Sequence, residues 1–121
     1  MDQGHSKNRF HGALADWLQR LPTPQGKPFI VAFEHGTLSV ELFAPRGVDT
    51  QQPHTRDEVY VIVQGAGSFV NGSERHRFGP GDVLFVPAGV AHHFEEFSDD
   101  LAVWVFFYGP EGGEVAEIED A

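Results

Sequence analysis

The chain has 121 residues, the size of a single domain that can bury a hydrophobic core of its own. It contains no cysteine, which excludes disulfide bonds, cysteine-ligated zinc and a cysteine nucleophile. A formal net charge of −10 opposes binding to nucleic acid, and no apolar run approaches the roughly 18 residues of a membrane span. Because the first residues also lack an apolar signal-type segment, we expect a soluble, cytoplasmic protein without nucleic-acid or membrane partners.

One helix is predicted near the start of the chain. Leu14, Trp17, Leu18 and Leu21 recur at helical spacing between about residues 11 and 21. A segment rich in proline and glycine follows directly and ends the pattern. We expect this helix to lie across the outside of the β-rich body that follows, or to reach a partner subunit.

Short β-rich runs make up the middle of the chain, separated by clusters of Gly, Pro, Asn or Asp. They are Phe29 to Phe33, Leu38 to Phe43, Val59 to Val63, Ser68 to Val70, Val83 to Val86 and Leu101 to Tyr108. Their near-regular spacing predicts an all-β sandwich or barrel. We therefore divide the chain into an N-terminal arm with the helix (1–28), a β-barrel (29–109) and an acidic tail (110–121), which we expect to be frayed.

Two segments combine ligand-type side chains with strand and turn chemistry. In an extended segment alternate residues share a face, so Gln52, His54 and Glu58 would lie on the same side. The second segment contains a Pro-Ala-Gly turn and releases His92 three residues after its glycine. A histidine from a different strand could thus join the first face.

These spacings resemble the two motifs of the cupin superfamily, usually written G-x5-H-x-H-x3,4-E-x6-G and G-x5-P-x-G-x2-H-x3-N. The matching residues are His54, Glu58 and Gly65 in the first motif and Gly81, Pro87, Gly89 and His92 in the second. The resemblance covers about residues 29–109. It implies a single-domain cupin-type jelly-roll β-barrel.

Three positions depart from the family pattern. Gln52 stands in place of the leading histidine of the first motif, and Glu96 stands in place of the closing asparagine of the second. Gly47 is one residue out of register with the leading glycine. The departure at Gln52 replaces an imidazole by an amide, which is a poorer ligand.

The resemblance and the residue types together predict a metal site formed by Gln52, His54, Glu58 and His92. This donor set suits one divalent transition metal per chain, such as Fe, Mn, Ni, Co or Zn. Two histidines with a carboxylate leave coordination positions open, as in catalytic sites. A hydrogen bond to a metal-bound water is the alternative role for Gln52.

Other residues are candidates for substrate contact or proton transfer. Arg56 and Tyr60 share the parity of the ligands, so Arg56 could bind a carboxylate and Tyr60 could contact substrate or handle protons. Glu96 has inward parity from His92 and is a candidate general base. The alternatives are an ion pair of Arg56 with Asp57 or Glu58 and an ordinary strand carboxylate for Glu96. Gln51 has the wrong parity for either role proposed for Gln52.

The remaining histidines have no matched partner in the sequence. His93 should point to the face opposite His92, and His76 should be solvated in a charged turn. We interpret His5, His11 and His35 as structural.

Two strands are apolar on both faces. Val59, Val61 and Val63 form an apolar face opposite the ligands, and both parities of residues 101–108 are apolar. Such strands must be covered on the outside by a second sheet, the helix or another subunit. A homodimer is the simplest explanation.

The most favoured function is a metal-dependent enzyme, of dioxygenase, isomerase or lyase type, acting on a small organic acid or diketone-like molecule. A dioxygenase would make it an oxidoreductase. A non-catalytic small-ligand-binding or sensor cupin is the alternative, and a dimeric structural or interaction partner is a third. The fold alone does not choose, because cupins include such enzymes and also ligand-binding modules without activity.

Overall fold

A computed structural model of the chain describes residues 10–115, which form one helix, α1 (Leu14–Leu18), and eight strands. The strands are β1 (Phe29–His35), β2 (Leu38–Phe43), β3 (Asp57–Gln64), β4 (Gly67–Asn71), β5 (Glu74–Phe78), β6 (Val83–Val86), β7 (His92–Glu95) and β8 (Ala102–Tyr108). They pair antiparallel in a five-stranded sheet of order β1-β2-β8-β3-β6 and a three-stranded sheet of order β5-β4-β7. The predicted all-β jelly-roll barrel with a short N-terminal helix is confirmed.

The inward faces of both sheets form the main core. Tyr60 of β3, Phe69 of β4 and Phe94 of β7 are each no more than 2% exposed. The rings of Phe69 and Phe94 lie with centroids 4.7 Å apart, and Tyr60 meets Phe94 edge to face at 5.4 Å. Aromatic pairs in these geometries stabilise the core beyond the area they bury. These aromatic rings join β3 of the larger sheet to β4 and β7 of the smaller one.

The helix covers part of the outer face of the larger sheet. This is the first of the two placements expected for it, across the outside of the β-rich body. Leu14, Trp17 and Leu18 pack with Leu42 of β2 and Ala102 of β8 in a second, smaller core. Burying one apolar stripe of a short helix in this way supplies the stability that its own backbone lacks. Within residues 10–115, no helix is long and apolar enough to cross a membrane.

The helix is shorter than predicted, with 5 residues in place of the span from about 11 to 21. Its end tightens because the amides of Arg20 and Leu21 donate to the carbonyls of Trp17 and Leu18, three residues back. Pro22 has no amide hydrogen with which to extend the ladder. At its start, Ala13 offers no side-chain cap. Leu21 still packs beside the helix, so its apolar character marks a contact and not a helical residue.

The sequence prediction missed β5, and it implied β7 only through the strand expected to carry His92. They flank β4 in the smaller sheet and are rich in charged and histidine side chains. His76 therefore lies in an exposed edge strand and not in a turn. Strands of this kind carry little apolar alternation, so only their pairing with β4 reveals them.

The beginning of the acidic tail is bound to the barrel, so the expectation of a frayed tail is wrong for residues 112–114. The amide of Gly112 donates to the carbonyl of Thr55 at 2.6 Å. The amide of Glu114 donates to Oδ2 of Asp57 at 2.8 Å. These bonds were missed because composition alone does not show a backbone amide finding a buried acceptor. Residues 116–121 lie outside the described residues.

Candidate metal centre

Two of the predicted ligands come from β3 and the loop before it. Glu58 is the second residue of β3, and its side chain is 1% exposed. His54 lies four residues earlier, where its carbonyl accepts a hydrogen bond from the amide of Gly89 at 2.7 Å. Nδ1 of His54 is 2.8 Å from Oε2 of Glu58. The loop backbone is therefore fixed where the imidazole meets the carboxylate.

The third ligand is delivered by the predicted turn. Gly89 has a φ of 81°, the left-handed conformation that glycine adopts freely, and the amide of Val90 donates to the carbonyl of Pro87. His92 then begins β7, with Nδ1 at 2.8 Å from the carbonyl oxygen of Val90. Because a carbonyl only accepts, Nδ1 carries a proton and Nε2 is the nitrogen directed at the other ligands. That Nε2 is 3.3 Å from Oε2 of Glu58.

The three side chains lie close together without forming hydrogen bonds to one another. The distances are those of ion pairs, but the angles form no hydrogen bond: Nδ1 of His54, Nε2 of His92 and both oxygens of Glu58 are buried without a hydrogen-bond partner among the described residues. One ligand atom from each residue lies within 4.8 Å of the others. Buried polar atoms are nearly always paired. Two imidazoles and a carboxylate in this state fit a divalent transition-metal ion.

The carboxylate also affects the protonation of its neighbour. The pKa of His54 is raised from its usual 6.5, chiefly by interaction with Glu58, while partial burial opposes the shift. A proton on His54 and a metal ion would compete for the same carboxylate-facing nitrogen.

A cavity of about 230 Å³ opens beside the ligands. Its lining consists of Phe29, Glu41, Phe43, Gln51, His54, Glu58, Tyr60, Val105 and Phe107. A second cavity of about 240 Å³ shares Glu41, His54 and Phe107 and adds Ser39, Thr55 and Arg56. A larger cavity of about 610 Å³ lies against β1 and β2 and is not lined by any of the three ligands.

Glu41 of β2 is a cavity residue that the sequence reasoning missed. Burial raises its pKa to about 7, opposed by His54 and assisted by the negative charge of Glu58. Ser39, Glu41 and Phe43 share the inward parity of β2, where Phe43 belongs to the main core. A carboxylate on the inward parity of β2, two residues before the core residue Phe43, could have identified it.

The structure places Gln51, not Gln52, at the cavity. Gln51 lines it and its Oε1 accepts a hydrogen bond from the hydroxyl of Tyr60 at 3.1 Å, whereas Gln52 is exposed. The parity prediction is wrong here because β3 begins at Asp57, so the two glutamines lie in a loop without alternating faces. Asp49 fixes the amide by accepting from Nε2 of Gln51 at 2.7 Å.

Tyr60 lines the first cavity and Arg56 lines the second. Burial raises the pKa of Tyr60 well above its usual value, and the charge of Glu58 adds to the shift. The phenol therefore keeps its proton and donates a hydrogen bond to Oε1 of Gln51. Arg56 lines the second cavity, and its guanidinium donates to the carbonyl of Thr37. Both residues lie near the predicted ligands, Tyr60 in the same cavity and Arg56 in the adjoining one.

The prediction that Glu96 faces the cavity is wrong. β7 ends at Glu95, and Glu96 follows with a φ of 49°, which turns its side chain to the surface. There Oε1 of Glu96 accepts from Arg75 at 3.2 Å. His93 points away from the ligands and pairs with Glu95 at 2.8 Å. The left-handed residue interrupts the alternation that the sequence reasoning assumed.

The other histidines lie apart from the ligand cluster. His11 and His35 are exposed, as is His76. Within residues 10–115, the group of His, Asp and Glu side chains close enough to hold a metal ion contains His54, Glu58 and His92 alone. His5 lies outside the described residues.

Comparison with known proteins agrees with this architecture. The Cupin domain family matches residues 39–108. A Streptomyces coelicolor protein, named uncharacterized protein SCO3923, is 45% identical over 76 residues, which cover 61% of this chain and 72% of that protein.

Solved structures show the same fold. TT1209 from Thermus thermophilus has a TM-score of 0.65 and 24% identity, covering 81% of this chain and 95% of its own. A cupin-2 domain containing protein from Shewanella frigidimarina has a TM-score of 0.63 and 15% identity, covering 88% and 100% respectively. At these identities the likeness concerns the fold alone. Since the family match spans more than half of the sequence and includes all three clustered ligands, the chain belongs to the Cupin domain family.

Proposed function

We propose that the protein is a metal-dependent cupin enzyme in which His54, Glu58 and His92 hold one divalent transition-metal ion, such as Fe, Mn, Ni, Co or Zn. The observation that carries this proposal is the convergence of their buried ligand atoms, unpartnered among the described residues. A structural site would be filled by protein ligands, whereas this set leaves positions for substrate. When bound, such an ion supplies a Lewis acid or a centre for activating O₂.

Glu41 is the group that we propose to carry protons. A general acid or base works best when its pKa is near the operating pH, and the pKa of Glu41 is about 7. It lines the same cavity as His54 and Glu58, within reach of a small bound molecule. Tyr60, held by Gln51, orients a substrate through its oxygen and does not exchange its proton at neutral pH.

The cavity supports a small organic substrate. Its walls are largely apolar, formed by Phe29, Phe43, Val105 and Phe107, while its polar groups lie together near the ligands. Such a lining suits a molecule with an apolar body and oxygen groups at one end. Arg56 in the adjoining cavity supports a carboxylate on that molecule, because a guanidinium binds carboxylates bidentately. We therefore favour a small acid or diketone in a dioxygenase, isomerase or lyase reaction.

The test begins with protein purified without a polyhistidine tag. We expect about one transition-metal ion per chain by elemental analysis, and O₂ uptake or product formation with a member of a panel of small acids and diketones. Both should be lost in His92→Ala. An absence of stoichiometric metal after growth in supplemented medium, with no uptake by the metal-free protein, contradicts the proposal. Metal binding and saturable ligand binding without turnover would select the sensor alternative.

We also propose that the chain forms a homodimer through the part of the outer sheet face that α1 leaves uncovered. On this face Val59 of β3 pairs with Phe85 of β6 on one side and Phe106 of β8 on the other. Two residues along β3, Val61 pairs with Val83 of β6. Val83 is 64% exposed and Phe85 is 50% exposed. A chain of charge −10 repels its copy except at a neutral, apolar contact. Light scattering that returns 13.4 kDa at micromolar concentration would contradict this.

A further inference from the structure

Asp57 is a buried carboxylate that joins two distant segments of the chain. It is 5% exposed and lies directly before Glu58. Oδ1 accepts from the amide of Ala88 at 2.9 Å, and Oδ2 accepts from the amide of Glu114 at 2.8 Å. Ala88 belongs to the turn that delivers His92. Each oxygen of the carboxylate therefore holds a different segment.

The second of these segments, residues 109–114, forms a C-terminal strap across the ligand loops. Besides the bond from Glu114, the amide of Gly112 donates to the carbonyl of Thr55, next to His54. Gly113 has a φ of 90°, and an added Cβ would lie 2.9 Å from both Oδ1 of Asp57 and Cβ of Ala88. Only glycine allows the strap to approach the carboxylate this closely.

The ligand loops are also tied to each other. The amide of Gly89 donates to the carbonyl of His54 at 2.7 Å, so the His92 turn and the His54 loop share a direct bond. Asp57 bonds to Ala88, next to Gly89, and the strap bonds to Thr55, next to His54. All three ligands thus sit on segments that converge on one buried carboxylate.

We propose that Asp57 and the C-terminal strap position the metal ligands, with Asp57 acting as a positioning residue that does not itself touch the ion. The inference rests on the proposed metal site. A positioned loop holds ligand atoms at binding separations before the ion arrives, so less of the binding free energy is lost in ordering them. The positioning function also predicts ordered ligand loops in metal-free protein.

Two matched pairs of variants test this. Asp57→Asn keeps the shape but replaces one acceptor oxygen by a group that cannot accept, and Asp99→Asn makes the same charge change on the surface. Glu114→Pro deletes the amide hydrogen that Asp57 accepts, whereas Glu114→Ala keeps it. The second pair alters an exposed residue near the end of the described chain, so it remains informative if Asp57→Asn fails to fold.

Titration with Co²⁺ is the first measurement. We expect Asp57→Asn and Glu114→Pro to weaken Co²⁺ binding by about 10- to 100-fold, the effect typical of outer-shell partners, with both controls unchanged. Hydrogen exchange of metal-free protein is the second. The Gly89 amide should exchange faster in the two test variants, while the amides between β1 and β2 keep their protection.

The outcomes separate this proposal from the proposed function. If wild-type protein binds no Co²⁺, the proposed metal site fails, and exchange at Gly89 still decides whether the strap orders the loops. If wild-type protein binds Co²⁺ and both test variants bind it equally well with unchanged exchange at Gly89, the positioning function is overturned and the metal site stands. Uniformly faster exchange throughout the barrel would also overturn it, since Asp57 would then stabilise the fold in general.

Discussion

Two histidine–carboxylate pairs in this protein have the same separation and different surroundings. His54 and Glu58 approach to 2.8 Å, and so do His93 and Glu95. The second pair lies at the surface with its side chains 38% and 36% exposed, and Glu95 also accepts from Arg75. The first pair includes a carboxylate that is 1% exposed and meets a second imidazole. Separation alone therefore does not define a metal site.

The difference lies in which atoms remain unsatisfied. Hydrogen bonds from His93 and Arg75 lower the pKa of Glu95, so that carboxylate is stabilised as an anion by protein groups. Both oxygens of Glu58 lack such a hydrogen bond among the described residues. A buried carboxylate in this condition is costly unless a cation compensates it. Under the proposed function a metal ion supplies this compensation at the buried pair, whereas protein groups already supply it at the surface pair.

The largest predicted effect comes from removing a buried imidazole. We expect His92→Ala to weaken Co²⁺ binding by more than about 100-fold, beyond the range typical of outer-shell changes. His93→Ala, one residue away on the surface, should leave binding unchanged. Calorimetric titration of both variants measures this. Equal loss in the two variants would mean that the surface pair, or no specific site, binds the ion.

The next prediction concerns pH. Since the pKa of His54 is raised, protons compete with metal to a higher pH than at an ordinary histidine. Once the pH falls below that raised pKa, metal affinity should decrease about tenfold per unit if one proton is displaced. The rise in Tm caused by Co²⁺ should accordingly be larger at pH 8 than at pH 6. The same rise at both values would contradict displacement of a proton.

In the metal-free protein, His54 makes the free energy of unfolding fall as pH rises, whereas metal affinity rises with pH. A raised folded pKa means that the folded state binds the proton more tightly than the unfolded chain. This contribution to stability is complete below the ordinary pKa of 6.5 and is lost as pH rises through the folded pKa. Unfolding curves with and without Co²⁺ at several pH values should therefore diverge as pH rises.

Glu41 provides a smaller test of the buried region. Its pKa is raised from 4.5 to about 7, so it favours folding below pH 4.5 and this contribution is lost as pH rises to 7. The loss is at most about 3 kcal/mol. Glu41→Gln should remove this pH dependence and reduce turnover. Glu34→Gln, on the exposed part of β1, is the control and should retain the wild-type profile by chemical denaturation.

The smallest effects should distinguish the two neighbouring glutamines. Gln51→Leu removes the acceptor of the buried Tyr60 hydroxyl and should cost about 1 to 3 kcal/mol of unfolding free energy. Gln52→Leu should change stability little, and Gln52→His should leave the spectrum of Co²⁺-loaded protein unaltered. If Gln52→His instead tightens binding and changes that spectrum, the ligand set predicted from the sequence is right.

The sequence predicted the fold and the meeting of His54, Glu58 and His92 because these features depend on spacing. The Pro-Ala-Gly turn and the short strands fix where the two motifs lie in a jelly roll. Alternation is a sound guide inside a strand, where successive side chains point to opposite faces. Tyr60 lies within β3 and faces the cavity, as expected.

Predictions were wrong where alternation stops. Gln51 and Gln52 precede β3, and Glu96 follows β7 in a left-handed conformation, so parity misplaced all three. Asp57 and the strap were missed for another reason. Their bonds join a side chain to backbone amides far along the chain, and nothing in the composition of a glycine-rich acidic tail reveals an acceptor at residue 57.

The most direct test is a titration of metal-free protein with Co²⁺ at pH 8, following the visible spectrum and the heat of binding together. We predict saturation at one ion per chain, with a spectrum of nitrogen and oxygen ligands that His92→Ala abolishes and His93→Ala preserves. Absence of binding, or a spectrum unchanged in His92→Ala, would show that His54, Glu58 and His92 do not form a metal centre.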